Sequence, residues 1–253
     1  MLLALDVGNT NTTIGAFQGE SITGRWRLRT IREQTADEWG ILLRNVFALS
    51  NLELADVHGV IICSVVPVIN GALAEMVRKY FDREPLFVRP EADIGLINRY
   101  DSPRDVGADR VVNGVAAYYL YGGPAIIVDL GTAITFDVIS ARAEYLGGLI
   151  YPGLGISLGG LFAKTALLPQ VNFEQPDKLI GTTTVGSIQS GLYHGTMGMV
   201  DGILEKISAE LGGSPKIIAT GGQAALIRHG SRHVQFLDED LTLKGLRLIW
   251  EKT

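Results

Sequence analysis

Cysteine is almost missing from this chain. Cys63 is the only one in 253 residues, so no internal disulfide can form and nothing points to an oxidising compartment. Long basic runs are missing too. The formal net charge is −5 and the pI about 5.4, which argues against a surface built for nucleic acid or an anionic membrane. There is no low-complexity tract and no Pro/Ser-rich linker. No basic segment precedes the first apolar run, which stops at Asp6, so that run does not read as a signal peptide. Charge is absent from Tyr145 to Ala163, but this stretch holds six glycines and Pro152, which would leave a lone lipid-exposed helix poorly packed. A buried strand followed by a helix is the better reading, and a soluble cytoplasmic protein with no nucleic-acid or membrane partner is expected. What is present is ordinary globular composition, 47% hydrophobic and 19% charged, over a length that suits one large domain or two small ones.

The pattern along the chain repeats. An apolar run over 2–6 ends in Asp6, turns through Val7-Gly8-Asn9-Thr10-Asn11 and resumes over 12–17. Much later a run over 125–129 ends in Asp129, turns through Leu130-Gly131-Thr132-Ala133 and resumes over 134–139. Each reads as a β-hairpin in which an Asp closes the first strand. The elements after each hairpin also match in order. In the first half a third strand (21–29) precedes a helix (35–50), a strand (57–63), a helix (68–81) and a strand (86–88). In the second half a third strand (144–151) precedes helical segments (153–164 and 185–211). A strand (216–220), a helix (223–229), a strand (233–236) and a closing helix (239–251) come after them. This predicts a duplicated α/β fold with mixed sheets and a cleft between domains 1–118 and 119–253, with the option that the closing helix packs back across the boundary.

Such hairpins suit phosphate. Glycine lets backbone N–H groups approach an anion with no Cβ in the way, and Asn and Thr add short donors. The Asp would repel phosphate, so it must act through a cation, and carboxylates hold Mg²⁺ directly or through retained waters. One Asp-x-Gly hairpin is equally well a plain turn; two in equivalent places of a duplicated chain point to nucleotide chemistry.

Asp6-Val7-Gly8-Asn9-Thr10-Asn11 and Asp129-Leu130-Gly131-Thr132-Ala133 resemble the two phosphate motifs of the acetate and sugar kinase/Hsp70/actin superfamily, with its ribonuclease H-like domains. More narrowly, Gly107-Ala108-Asp109-Arg110, the run Gly147-Gly148-Leu149-Ile150-Tyr151-Pro152-Gly153, Thr182-Thr183-Thr184 and Gln189-Ser190-Gly191 resemble type III pantothenate kinase along the whole chain. The resemblance implies ATP-dependent phosphorylation of pantothenate to 4′-phosphopantothenate, at the entry to coenzyme A synthesis, by a homodimer. It implies that Asp6, Val7, Gly8, Asn9, Thr10, Asn11, Thr12, Thr13 and Thr132 contact ATP. Tyr100, Gly107, Ala108, Asp109, Arg110 and Thr184 would contact pantothenate. Asp129 would lie at a K⁺ or NH₄⁺ site, and Asp6 would hold Mg²⁺ indirectly. Asp109 is the candidate general base: a hydroxyl acceptor must lose a proton, and a positioned carboxylate can take it. As plain structure, Asp109 and Thr184 would be helix N-caps, and Arg110 an ion-pair partner of Asp105 or Asp109. Gly221-Gly222 resembles the superfamily's adenosine-side turn, or is simply a strand–helix turn.

Two rivals compete. Gly155-Ile156-Ser157-Leu158-Gly159 fits a G-x-S-x-G nucleophile pattern, with Asp177 or Asp201 and then His229 or His233 in hydrolase order, but it leaves the twin hairpins unexplained. A nucleotide-dependent regulator resembling Bvg accessory factors is the other; the acidic balance and the lack of a helix-turn-helix pattern count against a DNA-bound repressor.

Overall fold

The computed structural model describes residues 1–163, 168–228 and 230–253. Two compact units emerge, one formed by Met1–Tyr119 with Asp240–Thr253 and the other by Leu120–Glu239.

In the first unit the leading apolar run becomes β1 (Leu2–Val7), which turns into β2 (Asn11–Gln18) and β3 (Ser21–Arg29). Helix α1 (Ala36–Leu49) comes next. Its start is dictated locally by a capping box, in which the Thr35 hydroxyl accepts from the Glu38 N–H at 3.3 Å and the Glu38 carboxylate accepts from the Thr35 N–H at 2.8 Å. Trp39, Leu43 and Phe47 recur at helical spacing and are buried. The chain continues through β4 (Gly59–Ser64), α2 (Asn70–Phe81), β5 (Leu86–Phe87), the short strand β6 (Ile97–Asn98) and α3 (Ala108–Tyr121). The sheet order is β3-β2-β1-β4-β5. β1 pairs antiparallel with β2 and parallel with β4. The central strands read as continuous apolar runs because both faces are covered, whereas edge strand β3 alternates.

The second unit repeats this plan. Strands β7 (Ala125–Leu130), β8 (Ala133–Ile139) and β9 (Glu144–Pro152) form the antiparallel triplet. Helices α4 (Leu154–Ala163) and α5 (Thr184–Leu211) come after it, then β10 (Lys216–Thr220), α6 (Ala224–Arg228) and β11 (Phe236–Leu237). Within this unit the strands lie in the order β11-β10-β7-β8-β9, with β7–β10 and β10–β11 parallel. The two orders match strand for strand, so the duplication legible in the chain is a duplication of topology. The last helix, α7 (Leu241–Trp250), packs on β1, β2 and β4 of the first unit. Gly245 allows this, since a Cβ there would strike the Val112 carbonyl and side chain of α3.

Three sequence expectations are corrected in detail. The stretch after the strand over 86–88, to which the sequence reading gave no element before Asp109, contains β6. The helix predicted over 185–211 begins at Thr184, and Thr183 rather than Thr184 is its cap, accepting from the Gly186 N–H at 3.1 Å. The strand expected over 233–236 is confined to Phe236–Leu237. The end of the helix predicted over 153–164 falls on Lys164, and that of the helix over 223–229 on His229, both outside the described residues.

Candidate active site

β1 and β7 share one burial pattern: every residue is buried except the penultimate, which is Asp6 in one and Asp129 in the other. A carboxylate at the mouth of an apolar strand escapes the full desolvation penalty while the strand fixes its direction.

In the first unit Asp6 sits opposite Thr13 of β2 and Cys63 of β4, so the three side chains share a face. The turn closes where the Gly8 N–H donates to the Asn11 carbonyl at 3.0 Å, leaving Asn9 and Thr10 exposed. Val7 and Thr12 are buried, and the Thr12 hydroxyl pairs with Thr30 at 2.9 Å. Of the expected nucleotide contacts, then, the side chains of Val7 and Thr12 point inward.

Asp109 reaches the same neighbourhood from the start of α3. Burial pushes the Cys63 thiol well up, and the negative charges of Asp6 and then Asp109 push it further, so both carboxylates bear on that buried sulfur. The carboxyl of Asp109 is itself raised, chiefly by burial; the Arg110 N–H and guanidinium and its own N–H partly offset this. Its Oδ1 accepts from the Arg110 N–H at 2.8 Å. The cap position belongs to Gly107, whose carbonyl accepts the Arg110 and Val111 N–H groups at 3.1 and 3.4 Å. Asp109 is therefore inside the first turn, and a Cβ on Gly107 would press on its Oδ1 at 2.5 Å. Arg110 is buried at 7% exposure. Tyr100 is 37% exposed, on the loop after β6, with its N–H donating to Asn98 Oδ1 at 3.0 Å.

In the second unit Asp129 sits opposite Thr135 and Thr220. This hairpin is one residue tighter, with the Gly131 N–H donating to the Ala133 carbonyl at 3.0 Å. Two glycines clasp it. A Cβ on Gly153 would strike the Thr132 and Gly131 carbonyls, and one on Gly221 would strike Asp129 Oδ1 and the Leu130 backbone. Gly221 also has φ +92°, a conformation that favours glycine. Thr132 and Thr184 are exposed. Behind Thr135 lies a network that sequence reasoning missed. Asp137 is fully buried and accepts from Tyr145 Oη at 2.7 Å and from Thr135 Oγ1 at 3.0 Å. Its one signal was a carboxylate in the otherwise apolar run 134–139.

No group of three or more acidic, histidine or cysteine side chains that could hold a metal exists among the described residues. No described helix is long and apolar enough to cross a membrane.

The hydrolase constellation does not assemble among the described residues. Ser157 lies within α4, donating its N–H to Gly153 at 2.9 Å, not on a strand-to-helix elbow. Asp201 accepts from Ser231 Oγ at 2.6 Å and Arg232 Nε at 3.1 Å, and His233 faces Glu205 at 3.0 Å. His229 lies outside the described residues.

The family model described as type III pantothenate kinase matches residues 2–206. The type III pantothenate kinase of Solibacter usitatus is 59% identical over 252 residues, covering 100% of this chain and 97% of its own. That of Koribacter versatilis is 53% identical, with 100% and 96% covered. Among solved structures, component A of the (R)-2-hydroxyglutaryl-CoA dehydratase of Acidaminococcus fermentans is similar with a TM-score of 0.55 and 12% identity. That likeness covers 98% of this chain and 95% of that one. A Baf family protein from Campylobacter jejuni aligns with a TM-score of 0.61 and 18% identity, over 99% and 98%. At these identities the likeness is one of fold, the duplicated actin-type α/β plan.

Proposed function

The chain belongs to the type III pantothenate kinase family, and from that premise we propose how its own residues divide the transfer of phosphate from ATP to the hydroxyl of pantothenate. The enzyme makes 4′-phosphopantothenate for coenzyme A synthesis. It uses ATP with a divalent metal.

The first hairpin, with Asn9 and Thr10 outermost, takes the nucleotide phosphates, and Thr132 of the second hairpin is a further ATP contact. Asp6 stands behind Mg²⁺, reaching it through water. Tyr100, Gly107, Ala108, Arg110 and Thr184 hold pantothenate. Asp109 receives the proton from the acceptor hydroxyl as the phosphoryl group arrives. What supports this assignment is that Asp6 stands opposite Cys63 in the sheet while Asp109, fixed in the first turn of α3 with Oδ1 on the Arg110 N–H, brings its charge to bear on the same buried thiol. Of the two carboxylates, one belongs to the phosphate hairpin and the other, raised by burial, is a better base than an ordinary Asp. Its position in the first turn, pinned by backbone N–H groups and a glycine neighbour, supplies the fixed geometry on which phosphoryl transfer depends.

Asp129, with the Gly221 backbone against its Oδ1, is the residue we assign to a K⁺ or NH₄⁺ ion. The protein acts as a cytoplasmic homodimer. Leu149, Ile150, Tyr151 and Ile156 of the second unit are 42%, 66%, 43% and 53% exposed, more apolar surface than a lone β9–α4 segment needs to show to water.

Asp109→Asn tests the central assignment. Turnover should fall by about 10²–10⁴-fold, the range for loss of a general base, while Mg·ATP still binds in a calorimetric titration. An unchanged kcat removes Asp109 from the role.

A further inference from the structure

Thr30, the residue directly after β3, is absent from every expected contact, yet it holds the first hairpin at three points. Its N–H donates to the Thr10 carbonyl at 3.0 Å. Its hydroxyl donates to the Gly8 carbonyl at 2.8 Å and pairs with the Thr12 hydroxyl at 2.9 Å. A hydroxyl has a single hydrogen and a carbonyl can only accept. Thr30 therefore spends its proton on Gly8, and Thr12 must donate to Thr30. Thr12 is wholly buried and Thr30 only 9% exposed, so this relay works in a low-dielectric setting where each bond counts for more.

The consequence falls on the turn. An anion is attracted by N–H groups and repelled by carbonyl oxygens, so a phosphate-binding turn must aim its carbonyls elsewhere. The carbonyls of Gly8, Thr10 and Asn11 are each engaged inside the protein, by the Thr30 hydroxyl, the Thr30 N–H and the Gly8 N–H. Two of these three are held by one residue. In the second unit the residue after the third strand is Gly153, which packs directly on the carbonyls of Gly131 and Thr132. The longer first turn is latched by a hydroxyl; the tighter second one is latched by close approach.

We propose that Thr30 is a positioning residue for ATP, latching the first hairpin so that it presents donors and not carbonyls to the phosphates. This rests on the assignment of that hairpin to the nucleotide, and the test separates the two. Thr30→Val keeps the shape and removes the hydroxyl; Thr30→Ser restores it; Asn9→Ala removes a donor from the turn itself. KM for ATP, KM for pantothenate and Mg·ATP binding by calorimetry are measured for each. Thr30→Val should raise KM for ATP about tenfold, the equivalent of one lost hydrogen bond, and leave KM for pantothenate within about twofold as expected for an effect confined to one subsite. Thr30→Ser should stay near the wild type. The latch is wrong if Thr30→Val, melting normally, binds ATP as the wild type does while Asn9→Ala binds it weakly, or if Thr30→Ser fails like Thr30→Val. If Asn9→Ala also binds normally, the hairpin is not the nucleotide site and the latch falls with it. Should Thr30→Val fail to fold, Thr30→Ala, with room for a water at the Gly8 carbonyl, is read by the same criteria.

Discussion

The surroundings of Asp109 disfavour its charge. Burial favours the neutral acid, and the N–H and guanidinium of Arg110 only partly compensate, so the carboxyl ionises above the ordinary Asp value. That direction fixes the sign for stability. The folded pKa is raised, so the group stabilises the fold at low pH, and that contribution is lost as pH rises through the folded value. Once ionised, the carboxylate is a net cost to the fold, and the general-base role proposed for it requires that ionised form. The kcat/KM profile of the wild type should therefore show an acidic limb above about pH 4, the ordinary carboxylate position. Asp109→Asn should lack that limb and melt no lower than the wild type at pH 7. A limb that persists in the variant would belong to another group. The motif Gly107-Ala108-Asp109-Arg110 made this residue legible as a candidate, but not its setting. Nothing in the local sequence says that Cys63, far earlier in the chain and on another element, feels its charge. Nor could the sequence tell a capping Asp from one inside the first turn, because both occur just after a glycine at a helix start.

Elements explain why glycine and threonine recur around the hairpins. The strand pairings were readable because alternating or continuous apolar runs bounded by Asp-x-Gly turns have few other solutions, and the capping box of α1 stands in the chain as Thr35-Ala36-Asp37-Glu38. Less readable was what the elements do to one another. Gly221 is legible as a strand–helix turn, and it does lie between β10 and α6; what the chain does not show is that its missing Cβ makes room for the Asp129 carboxylate. Thr30 and Asp137 escaped notice because single polar residues at strand ends and inside strands carry no periodic signal. Gly221→Ala should crowd Asp129 and strain a backbone at φ +92°, which an alanine tolerates at a cost of about 1–2 kcal/mol. The expected outcome is an activity that needs several-fold more K⁺ for half-saturation, with little change in KM for pantothenate. Equal rates of the wild type in K⁺ and in Na⁺ would remove the cation from Asp129, whatever the variant does.

On the scale of the whole molecule, one plan of five strands is laid down twice, and each copy ends its first strand with a half-buried carboxylate beside a glycine turn. The closing helix α7 belongs with the first unit because its buried face, Leu241, Leu243, Leu246 and Ile249, meets the sheet there and Gly245 admits α3. That placement could be foreseen only as an option, since an amphipathic helix advertises a core but not which one. The most direct test is a coupled assay of ADP release with product identification, offering pantothenate, sugars and acetate in turn to the enzyme with Mg·ATP and K⁺. We predict ADP in step with 4′-phosphopantothenate and no turnover with the other acceptors. ADP released without any acceptor, or equally well with a sugar, would contradict the account.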